Sequence, residues 1–268
     1  MKNKIIFLTG TRADFGKMKS IILLLKKNKL FNIEIFVTGM HLIKRYGYTI
    51  NEIKKLSINN IYAFKNQKTN DQMDVCLSKT IKGFSSFVKK RKPNLIIVHG
   101  DRVEALAGAI VGLFNNILVA HIEGGEVSGT VDESIRHSIS KLSHLHFVSN
   151  LSSKKRLIQL GEKKSKIFVI GSPEIDTMNS KNLPSIKEVK KMYKINFIKY
   201  SILIFHPVTT EYNKLSKQIQ ILIKALKSSG RQYVAISPNN DKGSKFIFNE
   251  YKKLKKNKNF FIFPSMRF

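Results

Sequence analysis

Residues 94–125, NLIIVHGDRVEALAGAIVGLFNNILVAHIEGG, decide the fold. The flanking runs NLIIVH and ILVAHI are short, almost continuously apolar and rich in β-branched residues. The segment between them, VEALAGAIVGLFN, is rich in small residues that suit a helix packed closely on a sheet. Apolar strands that alternate with helices are typical of a parallel sheet covered on both faces. The stretch therefore predicts a strand–helix–strand unit with a right-handed crossover.

The same alternation continues on both sides of this unit. Further strands are predicted at KIIFLT, IEIFVT, LHFVS and KIFVIG, and, after a polar stretch with two prolines, at YSILIFH, QYVAISP and FFIFP. We predict an α/β fold of two Rossmann-like domains with parallel sheets, residues 1–180 and 181–268, with the boundary inside 172–190. Three strands make a thin sheet, so the second domain is expected to be incomplete.

Length and composition exclude several classes of protein. The chain has 268 residues, 42% of them hydrophobic, which is enough for a substantial core. Its apolar runs fall short of the roughly 18 residues of a membrane span, and the first run is too short for a signal peptide. The single cysteine, Cys76, excludes an internal disulfide framework and a thiolate metal cluster. We expect a soluble cytoplasmic protein with no membrane partner, no metal and no cofactor.

The net charge of +30 raises the question of a polyanionic partner. The lysines are scattered over helix ends and loops, and the sequence shows no aromatic stacking platform. A solvated lysine surface is therefore favoured over nucleic acid as the explanation of this charge. A basic polyanion-binding protein stays open as an alternative, and attraction of a small polyanionic substrate is a milder consequence.

Polar residues gather after the predicted strands, where open α/β sheets bind ligands. GTRADFG follows the first strand and opens a helix, so its backbone N–H groups and Arg12 could hold a phosphate. It matches neither the dinucleotide nor the Walker pattern, and an ordinary turn explains it equally well. In HGDRVEALAG, Asp101 and Glu104 form an N-cap pair, or Asp101 is an acid or base and Arg102 a phosphate partner.

The acidic stretch HIEGGEVSGTVDESIRH divides in two. Thr130 and Glu133 fit a capping box at the start of a helix. Asp132 is favourable near the positive helix end and can pair with Arg136 four residues on. Glu123 has no such local role, so we interpret it as a functional carboxylate. In the second domain, His206 ends a strand and could contact phosphate or act as a general acid.

The chain resembles the hydrolysing UDP-N-acetylglucosamine (UDP-GlcNAc) 2-epimerases. The shared elements, in order, are GTRADFG, VTGMHL, HGDRVEALA, HIEGGEVSGTVDESIRHSISKLSH, FVIGSPEID, HPVTTE and PNNDKGSK. The resemblance implies two Rossmann-like domains in the glycosyltransferase-B arrangement, with UDP in the cleft. It implies loss of UDP to give 2-acetamidoglucal, then addition of water to give ManNAc, without a metal or redox cofactor. It also implies a homodimer or homotetramer.

The resemblance also implies roles for individual residues. Asp101, Glu123 and Asp132 match the family's proton-transfer carboxylates, and His206 matches its second-domain histidine. Substrate-binding positions are implied at Arg12, Ala13, Gly16, Arg102, His121, Gly125, Arg136, Asn239 and Ser244. Asp132 stands where the non-hydrolysing branch has glutamate, which favours the hydrolysing branch.

The resemblance leaves two questions open. Family members continue past FFIFPSMRF with a serine-rich turn and further residues that hold the nucleotide, so we expect weak or no activity from these 268 residues. The residues that read the base and the sugar substituents lie partly in that segment. A GDP-linked N,N'-diacetylbacillosamine derivative therefore remains an alternative substrate.

Overall fold

The computed structural model describes residues 2–68, 71–180 and 183–266. The chain forms two compact units, one of Met1–Lys44 and Tyr48–Asn179, the other of Arg45–Gly47 and Ser180–Phe268. Residues 181 and 182, at the predicted domain boundary, lie outside the described residues.

In its described residues, the first unit contains a seven-stranded parallel sheet and seven α-helices, besides short 3-10 helices. Its strands are β1 (Asn3–Thr9), β2 (Phe31–Val37), β3 (Ile61–Ala63), β4 (Leu95–His99), β5 (Leu118–Ile122), β6 (Leu145–Val148) and β7 (Ile167–Val169). Its α-helices are α1 (Arg12–Lys27), α2 (Ile50–Lys54), α3 (Met73–Arg91), α4 (Val103–Phe114), α5 (Val131–Lys141), α6 (Leu151–Gln159) and α7 (Glu174–Met178). The strand–helix–strand unit of residues 94–125 is thus β4–α4–β5, as predicted. None of the helices in the described part of the chain has the length and apolar character needed to cross a bilayer.

Apolar layers cover both faces of this sheet. Ile6 and Leu8 of β1 pack with helices α3, α4 and α5 on one face. Their neighbours Ile5 and Phe7 pack with α1 on the other. Successive residues of a strand point to opposite faces, so a strand covered on both sides is apolar at most positions. This requirement explains the continuous apolar runs from which the sheet was predicted.

The strand order places the ends of β1 and β4 side by side. The order is β3-β2-β1-β4-β5-β6-β7, so the chain moves outward in one direction from β1 and in the other from β4. Such a reversal opens a crevice at the carboxyl ends of the two central strands, where ligands bind in open α/β sheets. The residues after Thr9, His99 and Ile122 therefore line one edge of the sheet.

The second unit has a three-stranded parallel sheet in the order β10-β9-β8. Its strands are β8 (Ser201–Ile204), β9 (Tyr233–Ile236) and β10 (Phe260–Phe263), and its helices are α8 (Ile186–Met192), α9 (Tyr212–Ser228) and α10 (Ser244–Leu254). Ile219 of α9 and Ile247 of α10 pack on Leu203 and Tyr233 of the sheet. The predicted α/β class with a parallel sheet in each unit is confirmed.

Candidate active site

The turn between β1 and α1 is closed by its own side chains. Thr11 is the N-cap of α1, and its hydroxyl accepts from the Asp14 backbone N–H at 3.2 Å. The Asp14 carboxylate accepts from the N–H groups of Gly10 at 3.0 Å and Thr11 at 3.1 Å. These two donors, which the sequence suggested for an anion, are therefore already engaged. Anion binding here would depend on the half-buried Arg12 and on the positions that follow it, the exposed Ala13 and the half-buried Gly16.

Burial shifts the pKa values of two titratable side chains beneath this turn, Asp14 and His41. Burial of Asp14 raises its pKa to about 6, against the lowering effect of a hydrogen bond from Thr9. The His41 ring lies between the hydroxyls of Thr9, at 2.9 Å, and Thr49, at 2.7 Å. Burial lowers the pKa of His41 to about 3, so this ring is neutral at physiological pH.

Glu123 is the centre of a buried polar cluster at the ends of β4 and β5. Its Oε2 lies 2.6 Å from Lys17 Nζ of α1 and 3.0 Å from His99 Nε2 at the end of β4. Its Oε1 accepts from Ser172 Oγ at 3.1 Å. Three donors from three parts of the first unit therefore fix the position of this carboxylate.

The backbone and charge of Glu123 are both unusual. Its φ of +59° lies in the left-handed region, which costs a non-glycine residue on the order of 1 kcal/mol. Burial raises the pKa of Glu123, but the hydrogen bond and charge of His99 and then of Lys17 outweigh it and lower the pKa to about 2. Glu123 is therefore ionised at physiological pH, and its three donors hold it in one place.

Asp101 is joined to the same edge through Arg136. The predicted capping role of Asp101 is wrong, because Arg102 is the N-cap of α4 and makes no side-chain cap bond. Asp101 Oδ2 instead accepts from Arg136 Nη2 of α5. Arg136 also lies 3.9 Å from Glu126. The arginine thus connects the end of β4 to the helix that follows β5.

The start of α5 differs in part from its predicted capping box. Thr130 is the N-cap but makes no backbone cap bond, and its hydroxyl donates to Asp132 at 3.3 Å. Glu133 accepts from the N–H groups of Ser128 at 2.8 Å and Gly129 at 2.7 Å. Asp132 lies one helical turn before Arg136, so the two residues occupy the same face of α5.

His121 and Gly125 have structural roles in this geometry. His121 is fully buried, and its ring nitrogens lie 2.8 Å from the Gly100 carbonyl and 3.0 Å from Ser140 Oγ. Because a carbonyl can only accept, Nε2 carries the proton, and burial lowers the pKa of His121 to about 3. Gly125 has a φ of +78°, and a Cβ there would lie 2.6 Å from the Ser153 carbonyl oxygen. Both residues shape the strand ends and are placed to support a site.

The free energy of unfolding is expected to fall as the pH drops below about 6.5. The unfolded chain protonates His41 and His121 near their ordinary pKa of 6.5, whereas in the fold both resist protonation down to about 3. Asp14 has the opposite effect and offsets the loss from one histidine between about pH 6 and pH 3.8. In this range its raised pKa means that the folded state binds one more proton at Asp14 than the unfolded chain does. For these three groups, at about 1.4 kcal/mol per proton and pH unit, the net loss is about 3 kcal/mol between pH 6.5 and 4.5. Burial also lowers the pKa of His146, which adds to the loss in the same direction. Urea denaturation at each pH measures this slope.

His121→Gln tests the assignment of this slope. The variant removes one of the two histidines and should therefore show a shallower pH dependence of stability than the original chain. Equal slopes would contradict the assignment.

The predicted residues of the second unit lie at the carboxyl ends of its strands. His206 is exposed and follows β8, and the half-buried Asn239 follows β9. Ser244 is the first residue of α10, and its N–H donates to the Asp241 carbonyl at 3.0 Å. Because β8 and β9 are adjacent and parallel, these positions share one edge of the second sheet.

Three residues of the Glu123 cluster were not predicted as site residues. Lys17 had no distinguishing signal in a chain with 48 lysines and arginines. His99 and Ser172 stand at the ends of β4 and β7, and that position was the only signal available for them. Within residues 2–68, 71–180 and 183–266, no three His, Cys, Asp or Glu side chains are grouped to hold a metal ion.

Solved structures of other proteins share this fold. The structure of the Methanocaldococcus jannaschii UDP-GlcNAc 2-epimerase in complex with UDP-GlcNAc and UDP matches 97% of this chain and 73% of its own, with a TM-score of 0.78 and 23% identity. The Neisseria meningitidis UDP-GlcNAc 2-epimerase bound to UDP-GlcNAc matches 99% of this chain and 73% of its own, with a TM-score of 0.75 and 22% identity. The fold is therefore that of the UDP-GlcNAc 2-epimerases.

The sequence places the chain within that class. The UDP-N-acetylglucosamine 2-epimerase family model matches residues 24–268. A UDP-N-acetylglucosamine 2-epimerase of Neisseria meningitidis serogroup B is 46% identical over 99% of this chain and 70% of its own length. The chain belongs to the UDP-N-acetylglucosamine 2-epimerase family. A Legionella pneumophila relative, named UDP-N,N'-diacetylbacillosamine 2-epimerase (hydrolyzing), is 39% identical over 92% of this chain and 67% of its own length.

Proposed function

We propose that this chain is a hydrolysing UDP-GlcNAc 2-epimerase, which converts UDP-GlcNAc and water to ManNAc and UDP. The observation that carries the proposal is the fixed, ionised Glu123 beside the Asp101–Arg136 pair, at the ends of adjacent strands β5 and β4. The aspartate at position 132 and the name of the Legionella relative support the hydrolysing branch.

The reaction requires negative charge beside the sugar ring. When the C1–O bond breaks, UDP leaves with the bonding electrons and positive charge builds at C1, which makes the C2 proton acidic. A base removes that proton to give 2-acetamidoglucal. Water then adds its hydroxyl to C1, and C2 receives a proton from the other face. A preorganised anion stabilises the charge that develops in the first stage.

The contacts favour different roles for the carboxylates. A general base works best with a pKa near the working pH, whereas Glu123 has a pKa of about 2 and three donors on its oxygens. We therefore assign the stabilisation of positive charge to Glu123, and proton transfer to Asp101 and Asp132. In the same proposal Arg12 and Arg102 bind the diphosphate.

Turnover in D₂O tests this function. Even at the weak turnover expected of these 268 residues, prolonged incubation with UDP-GlcNAc should release UDP and ManNAc that carries deuterium at C2, with 2-acetamidoglucal as an intermediate, all visible by NMR. The label enters because the proton returns from solvent. Deuterated UDP-ManNAc as the product would instead indicate the non-hydrolysing reaction and contradict the proposal.

The second candidate is the same chemistry on a nucleotide-linked N,N'-diacetylbacillosamine. The Legionella relative at 39% identity and a Campylobacter jejuni relative at 35%, named GDP/UDP-N,N'-diacetylbacillosamine 2-epimerase (hydrolyzing), favour it. Parallel assays with the UDP- and GDP-linked sugars separate the two candidates by their kcat/KM values.

A further inference from the structure

Glu104 is a buried carboxylate in the first turn of α4 that the proposed reaction does not use. Its side chain is 1% exposed and lies against the backbone where β1 and β2 end. A Cβ on Gly10 would lie 2.9 Å from Glu104 Cδ, and a Cβ on Gly39 would lie 2.8 Å from Oε1. The chain segments after β1 and after β2 therefore both lie against this side chain of α4, at the point where the strand order reverses.

The carboxylate of Glu104 lacks hydrogen bonds, unlike comparable groups in the first unit. Among the described residues, neither of its oxygens has a hydrogen-bond partner. Asp14 accepts from two backbone N–H groups, Glu34 accepts twice from Arg91, and Glu123 has three donors. Buried polar groups are normally satisfied, so a carboxylate kept in this state requires an explanation.

Arg102 supplies that explanation. Its Nε lies 3.8 Å from Glu104 Oε2, beyond hydrogen-bond distance but close enough for attraction between charges. The Nε edge is the part of the guanidinium that approaches Glu104. The terminal nitrogens of a guanidinium are the pair that matches phosphate oxygens in a fork. The first turn of α4 also favours a negative charge at this position.

We propose that Glu104 is a positioning residue for Arg102, and that it orients the guanidinium for the diphosphate of the nucleotide sugar. This inference rests on the proposed function, because it assumes a diphosphate ligand at the ends of β1 and β4. Glu104 acts through Arg102 and does not touch the ligand. The close packing of Gly10 and Gly39 holds the carboxylate in place from the other side.

A calorimetric titration with UDP tests the proposal. Glu104→Gln keeps the shape and removes the charge, so it should raise the Kd for UDP about tenfold. In an assay KM should rise in the same proportion, with kcat little changed. Glu34→Gln is the matched control, because Glu34 is also 1% exposed but pairs with Arg91, and it should bind UDP like the original chain.

Two further variants separate positioning from space filling. Glu104→Asp keeps the charge and should bind UDP more tightly than Glu104→Gln, whereas a residue needed only for its volume would give the reverse ranking. In an Arg102→Ala background, Glu104→Gln should cause no additional loss, because its effect passes through the arginine.

The outcomes distinguish this inference from the proposed function. Unchanged UDP binding by Glu104→Gln, or additive losses with Arg102→Ala, overturns the role of Glu104 alone. An original chain that takes up no UDP overturns the proposed function as well.

Discussion

Glu123→Gln is expected to lower kcat by on the order of 10²- to 10³-fold, since this is the usual cost of removing one preorganised charge-stabilising group. The amide is nearly isosteric but neutral, so the positive charge at C1 of the sugar would lose its fixed counter-charge. It would also leave Lys17 and His99, at 2.6 Å and 3.0 Å, facing a group that cannot balance a cation. Release of UDP and ManNAc, followed by NMR, measures the effect.

The chain contains a close control for this variant. Glu162 is also held between a lysine and a histidine, Lys141 at 2.6 Å and His146 at 3.2 Å. It precedes β7 and so lies towards the amino ends of the strands, away from the candidate site. Glu162→Gln should therefore keep its turnover while it loses a comparable ion pair. Equal activity losses in the two variants would show that the effect at Glu123 is one of stability and not of chemistry.

The fold could be predicted from the strands that are buried on both faces, because their sequences are almost continuously apolar. β4 and β5 lie inside the sheet, and most positions of such a strand are apolar. β3 escaped prediction because it is an edge strand of three residues, with Tyr62 and Ala63 exposed. An edge strand needs little apolar burial, so the composition of this segment does not distinguish it from a loop.

The candidate site could be predicted only in outline. Glu123 was selected because no local role explained it, and this reasoning needs no knowledge of its partners. Those partners are separated from it by 106, 24 and 49 positions along the chain, for Lys17, His99 and Ser172 respectively. Contacts over such distances depend on strand order, which the sequence of one chain does not reveal.

The rules for helix capping, which use only neighbouring residues, predicted the wrong contacts for two acidic residues at the start of α4. Asp101 and Glu104 have the spacing of an N-cap pair, and that spacing alone accounts for both residues. In the structure Asp101 contacts Arg136 of the next helix, and Glu104 is buried under Gly10 and Gly39. Tertiary contacts replaced the local ones at both positions. Departures from local rules of this kind are expected to concentrate at functional sites.

Gly39→Ala is expected to destabilise the first unit by about 3 kcal/mol, from backbone strain and overpacking together. Gly39 has a φ of +62°, and a Cβ there would lie 2.4 Å from the Gly10 carbonyl oxygen and 2.8 Å from Glu104 Oε1. The backbone at Gly10 cannot retreat without moving the turn that precedes α1. Gly129→Ala is the control, because its φ of +67° is similar but no atom of the described residues lies within 4 Å of the added methyl group. It should show only the strain, about 1 kcal/mol.

Urea unfolding of the two variants measures both losses. The chain has no tryptophan, so the unfolding is followed by far-ultraviolet circular dichroism. Equal losses in the two variants would mean that the close approach of Gly39 to Gly10 contributes nothing to stability.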